Sequence, residues 1–166
     1  MSQETSISEA ETVGQLLGAH GQTLSTAESC TGGLIGDAIT DIPGSSDYYR
    51  GGVIAYANEA KQNVLGVRPG TLAVLGAVSE ETALQMARGA RRLFGTDYAL
   101  SVTGIAGPGG GTRQKPVGLV YIALVGPNVE RAERHVWEGD RRANKRASAR
   151  RALQMLIEHL RGGNRA

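Results

Sequence analysis

Cysteine is nearly missing from this chain of 166 residues: a single one, Cys30, excludes an internal disulfide framework, and no Cys/His cluster has zinc-site spacing. That usage fits a reducing, cytoplasmic setting. Aromatic residues are also scarce, with one Phe and one Trp. No apolar run reaches the ~20 residues that a membrane-spanning helix needs. The longest, VGLVYIALVG from Val117 to Gly126, is half that length and reads as a buried strand. The start, MSQETSISEAETVG, lacks the basic opening and apolar middle of a signal peptide. Acidic residues thin out toward the end. From Gly139 to Ala166 there are eight Lys or Arg against Asp140 and Glu158, so that segment carries +6 and the remainder −4. Such a segment attracts phosphate groups or forms a solvated helix face.

Glycine, by contrast, is abundant, with 24 residues, and many tight backbone positions should follow. The length suits one domain. Residues 1–7 read as a disordered tail, 8–161 as the domain and 162–166 as a frayed end. Val13, Leu16 and Leu17 recur at helical spacing up to a stop at Gly21. TLSTAE reads as a strand, LIGDAITDI as a helix broken by Pro43 and Gly44, and GGVIAYA as a second strand. NEAKQNVLGV resumes a helical pattern that Asn58 could cap, and Ser79 could cap another, with Glu80 and Glu81 at the positive end of its dipole. DYALSVTG and VGLVYIALVG lack alternation, as strands covered on both faces do, whereas ERAERHVWEG alternates like an edge strand. Asp140 could cap a last helix whose buried stripe is Ala149, Leu153, Leu156, Ile157 and Leu160. Interleaved helices and covered strands predict an α/β/α layered sandwich, with a mixed sheet because the late strands could pair as hairpins.

The turn AESCTGG sets three nucleophile candidates, Ser29, Cys30 and Thr31, beside Gly32 and Gly33. At a strand-to-helix turn a side chain stands above the sheet edge, near outward-pointing N–H groups that could hold an oxyanion. Glycines there let a substrate approach the backbone. The same letters also describe a plain N-cap with small packing residues. A serine needs a base, and His20, His135 and His159 are each poorly placed for it. Lys61 follows a strand that could neighbour the one leading to Ser29. It could accept a proton if desolvated, with Tyr56 bonded to either partner and relaying the proton. A surface lysine and a packed tyrosine are the plain alternative. The loop from Gly104 to Gly111 could enclose a planar ring or amide, or simply connect a hairpin.

Together TAESCTGG, YANEAK, VTGIAGPGGG, KPVG and GDR closely resemble the CinA C-terminal domain family, which includes nicotinamide mononucleotide amidohydrolases. The resemblance runs from about Val13 to Leu160. No counterpart of the large N-terminal domain of full-length members is seen, so a stand-alone amidase form is expected. The resemblance implies a compact α/β/α fold, homo-oligomers, and hydrolysis of a nucleotide carboxamide without metal or cofactor. It implies Ser29 as nucleophile, Lys61 as base and Tyr56 as their companion, with Thr31, Gly32 and Gly33 at the oxyanion or substrate. It further implies substrate contacts from Gly104, Ala106 and Gly107, and phosphate contacts from Arg141 first and Lys145 second. Lys145 departs from the family pattern, in which an arginine often stands, and a lysine lacks arginine's two-pronged geometry. Two other readings remain: a nucleotide- or DNA-binding module linked to competence, and an amidase of another small substrate. Nucleic acid is disfavoured, because the C-terminal arginines share their helix with an apolar stripe and no aromatics interleave them.

Overall fold

Strands with both faces covered need apolar or small residues throughout, and the three central strands here have them. They are β1 (Leu24–Glu28), β3 (Tyr98–Gly104) and β4 (Leu119–Gly126), almost entirely buried. The edges are β2 (Tyr49–Ile54), which alternates half-buried and exposed positions, and β5 (Val129–Val136). The sheet order is β2-β1-β3-β4-β5 in this computed structural model, which describes residues 2–162, with side chains from residue 9 onward. β1 runs parallel to β2 and β3, while β3–β4 and β4–β5 are antiparallel. The sheet is therefore mixed, as expected.

Helices cover both faces. α1 (Ser2–His20), α2 (Leu34–Thr40) and α6 (Arg141–Gly162) pack on the face carrying Leu100, Val102, Ile122 and Leu124. The opposite face presents Ala27, Ala99, Ser101 and Ala123 to α5 (Glu80–Phe94). These small side chains bring α5 close enough for the Ser101 hydroxyl to donate to the Ala83 carbonyl at 2.5 Å. Gly89 allows a second close approach, since a β-carbon there would lie 1.9 Å from the Leu65 carbonyl oxygen. α3 (Asn58–Asn63) and α4 (Pro69–Val74) fill the connection between β2 and α5.

Most caps match the sequence reading. Ser79 accepts the Thr82 N–H at 3.2 Å and Gly95 closes α5 in a left-handed conformation. Asp140 accepts the Ala143 N–H at 2.8 Å, and the five apolar residues expected to form the buried stripe of α6 are all buried. Two expectations fail. Asn58 is the first helical residue of α3, and Ala57 occupies the cap position with no side-chain bond, because its extended backbone already turns the chain into the helix. α1 takes in Ser2 onward, including most of the segment read as a tail, since an established helix gains one hydrogen bond for each residue it adds. Of residues 162–166, read as frayed, Gly162 ends α6 and 163–166 lie outside the described residues.

Candidate active site

Pairing of β1 with β2 puts Glu28 opposite Ile54, so the residues that follow the two strands meet at one end of the sheet. The Ser29 N–H bonds to the Val102 carbonyl at 2.9 Å and the Ala55 N–H to the Glu28 carbonyl at 2.9 Å, extending the ladder to the site itself. Lys61, from the single turn and a half of α3, reaches back beneath these ends. Its side chain is 1% exposed, and its Nζ lies 3.0 Å from Ser29 Oγ, 2.9 Å from the Ala55 carbonyl and 3.1 Å from the Tyr56 carbonyl. Burial pushes its pKa below the ordinary lysine value, and the neighbouring Cys30 acts in the other direction. The three N–H groups of the ammonium match these three acceptors, and a neutral amine fits them as well. Its two N–H groups can donate to the two carbonyls, leaving the lone pair to accept the Ser29 hydroxyl proton.

Of the three nucleophile candidates, Ser29 alone touches the lysine, and it is 7% exposed. Cys30 sits in the apolar core among the α1, α2 and α6 side chains. Burial drives its thiol up to about 12, so it stays protonated and inert near neutrality. The Thr31 hydroxyl, expected at the oxyanion or substrate, instead donates to Glu28 Oε1 at 2.7 Å. Glu28 also accepts the N–H groups of Ile35 at 2.9 Å and Gly36 at 3.1 Å, so its buried carboxylate occupies the start of α2. Sequence reasoning passed over this glutamate, although a carboxylate just ahead of a helix start was a legible signal. Gly32 and Gly33 hold positive φ of 61° and 106°, and the turn they form leaves the space above Ser29 free of side chains of its own.

Tyr56 departs from expectation. Its ring is 62% exposed and its hydroxyl accepts from Arg141 Nη2 at 3.2 Å, so the expected contact of the phenol with Ser29 or Lys61 is not made among the described residues. Ala55 is buried and the extended chain turns the next side chain the opposite way, which is why Tyr56 offers Lys61 only its carbonyl. Arg141 also donates to the Gly107 carbonyl at 2.7 Å, and Ala106, Gly107 and Arg141 line one cavity of about 450 Å³. Asn144, 1% exposed and not foreseen, donates to the Ala106 carbonyl at 3.0 Å and accepts the Gly139 N–H at 3.0 Å. The loop after β3 is thus tied to the first turns of α6. Gly104 is set apart from it: a β-carbon there would come within 2.6 Å of Val120 Cγ2, so its bareness serves the β3–β4 contact. Lys145, one turn beyond Arg141, brings its Nζ within 3.7 Å of where a Gly32 side chain would begin.

The sequence model of the CinA C-terminal domain matches residues 6–160. The chain belongs to this family. A putative competence-damage inducible protein of Halothermothrix orenii is 52% identical over 158 residues, which is 95% of this chain and 38% of that protein. A CinA-like protein of Trichormus variabilis is 60% identical over 121 residues, 73% of this chain and 29% of that protein. The chain therefore spans well under half the length of these curated relatives. Solved structures match end to end. The competence/damage inducible protein CihA from Agrobacterium tumefaciens is 44% identical with a TM-score of 0.88, covering 93% of this chain and 94% of that one. A CinA superfamily protein from Klebsiella pneumoniae is 36% identical with a TM-score of 0.90, covering 98% and 99%.

In this CinA domain the histidines stand apart from the site. His135 stacks on Trp137 at 4.7 Å, His159 meets Tyr98 edge-on at 5.6 Å, and His20 ends α1. The basic segment is partly neutralised by its own fold. Arg151 bridges Glu133 at 2.7 Å and Glu158 at 2.8 Å, and Arg150 pairs with Glu9 at 2.9 Å. Among the described residues no helix is long and apolar enough to cross a membrane.

Proposed function

We propose that this CinA domain is an amidohydrolase that converts nicotinamide mononucleotide to nicotinate mononucleotide and ammonia, with Ser29 as nucleophile and Lys61 as base. The observation that carries the reading is the buried Lys61 amine, bonded to two main-chain carbonyls and to Ser29 Oγ at 3.0 Å. Ser29 Oγ attacks the carboxamide carbon as its proton passes to Lys61 Nζ, and the carbonyl electron pair moves onto oxygen. When that pair returns, the carbon–nitrogen bond breaks and the Lys61 ammonium gives its proton to the departing nitrogen, which leaves as ammonia. Water then attacks the acyl-serine, again losing a proton to Lys61, and the Ser29 oxygen leaves with that proton restored. The carboxylate product is released.

The choice of substrate rests on the family resemblance, supported by Arg141 as a cation beside the site and by a glycine loop able to face a flat ring. Cytoplasmic location and assembly into homo-oligomers belong to the same reading. Purified protein given nicotinamide mononucleotide should release ammonia, and a Ser29→Ala variant should not. Equal ammonia from both would overturn the nucleophile, and none from either would overturn the substrate.

A further inference from the structure

Attack on an amide creates negative charge on oxygen, and that charge needs a partner other than the base. Once protonated, Lys61 has three hydrogens and three acceptors already in place: Ser29 Oγ and the carbonyls of Ala55 and Tyr56. None points elsewhere. The start of α2 is also spent, because the Ile35 and Gly36 N–H groups go to the Glu28 carboxylate. What remains is the turn from Ser29 to Gly33 and whatever faces it. Among the described residues, the N–H groups of Cys30, Thr31 and Gly33 enter no backbone–backbone bond.

Besides Lys61, a second cation faces that turn. Lys145 is half-buried on α6, with its Nζ 3.7 Å from the position of a Gly32 β-carbon. Its charge is felt at the Cys30 thiol, the residue after the nucleophile, together with that of Lys61. Among the described residues Lys145 has no hydrogen bond and no ion pair. Arg141, by contrast, is committed to Gly107 and Tyr56. A half-buried ammonium without a protein partner is poised for an anion that arrives with the reaction, and Gly32 and Gly33 leave no side chain in its way.

We infer that Lys145 is a catalytic residue, supplying the positive charge that stabilises the oxyanion formed on Ser29 attack, with the N–H groups of Cys30, Thr31 and Gly33 as its companions. This assignment rests on the serine-amidase reading above. It separates two cations that sit one helical turn apart: Lys145 acts on the reacting carbonyl, and Arg141 orients Tyr56 and the glycine loop.

The test uses phenylmethanesulfonyl fluoride, which carries no phosphate. Ser29 Oγ forms a bond to sulfur, fluoride leaves, the proton goes to Lys61, and negative charge grows on the sulfonyl oxygens. Labelling of the Ser29 peptide is followed by mass spectrometry. Lys145→Gln should slow it about 10²-fold, the scale of losing one oxyanion donor, and Lys145→Arg should restore most of the rate. Circular dichroism and thermal unfolding confirm that each variant is folded. In the ammonia assay Lys145→Gln should lower kcat with little change in KM, equally for nicotinamide mononucleotide and for nicotinamide riboside. Unchanged labelling in Lys145→Gln would overturn the inference while leaving Ser29 as nucleophile. So would a rise in KM confined to the phosphorylated substrate, which would make Lys145 a phosphate ligand. No labelling of Ser29 in the unaltered chain would overturn the nucleophile itself and this inference with it.

Discussion

Replacing Glu28 with glutamine keeps the shape of the side chain and removes its charge, which isolates what the carboxylate does at the turn. The carboxylate accepts three bonds, two at Oε1 from Thr31 Oγ1 and the Ile35 N–H, and one at Oε2 from the Gly36 N–H. A glutamine amide can orient its oxygen toward either group of donors. With oxygen at the Oε1 position, its NH₂ faces the Gly36 N–H. With the amide reversed, the threonine hydroxyl can rotate to accept, but the Ile35 N–H then faces an N–H. Either way one buried main-chain donor is stranded, at about 1–3 kcal/mol, and the surviving bonds lose their ionic component, up to ~1 kcal/mol each. The expected loss is about 2–4 kcal/mol, a large part of the ~5–15 kcal/mol that holds a typical domain folded. Urea unfolding should show a midpoint lowered by roughly 1–2 M with the slope unchanged. A shift below about 0.3 M would refute the claim that this carboxylate organises the Ser29 turn.

Three further outcomes follow from the same geometry. The lowered Lys61 pKa means that kcat/KM should rise with pH as the amine becomes neutral, reaching a plateau below the ordinary lysine range. Because the folded chain holds fewer protons at Lys61 than the unfolded chain, stability should also climb with pH until the unfolded lysine value, and Lys61→Met should remove that slope while abolishing activity. Cys30→Ala should keep near-native turnover in the ammonia assay, and in the unaltered chain the thiol, held up to about 12, should react with iodoacetamide at pH 8 far more slowly than a free thiol. Glu133 is held down to about 2, chiefly by its bond to Arg151. Its contribution to stability should be complete above the ordinary carboxylate range and fade as pH falls toward 2, and Glu133→Gln should flatten that part of an acid titration followed by circular dichroism.

Much of the architecture could be read from the chain because its cues are local. Unalternating runs marked β3 and β4 as strands with two covered faces, and Ser79 and Asp140 stand at the helix starts where the caps are found. The Ser29–Lys61 pairing was accessible because it requires only that two parallel strands be neighbours. The partners of the glycine loop were not accessible. Asn144 meets Ala106 across 38 residues of sequence through the packing of α6 on the sheet, and no periodicity announces such a contact. The orientation of Tyr56 lay in between. The alternation of β2, carried one residue past a buried Ala55, already turned that ring outward, but the identity of its partner, Arg141, came only from the tertiary fold.

The partners of the Lys61 amine differ in kind from those of the loop beside it. Besides Ser29, they are two peptide carbonyls, and a carbonyl is present whatever amino acid occupies positions 55 and 56. The anchors of the loop, Arg141 and Asn144, are side chains that one nucleotide change in a codon can replace. Descent with variation would therefore act unevenly on this end of the sheet. The bonded pair of Ser29 and Lys61 would tolerate drift in its surroundings, while the walls around it could be exchanged piece by piece, letting related domains come to hold different ligands over the same serine and lysine.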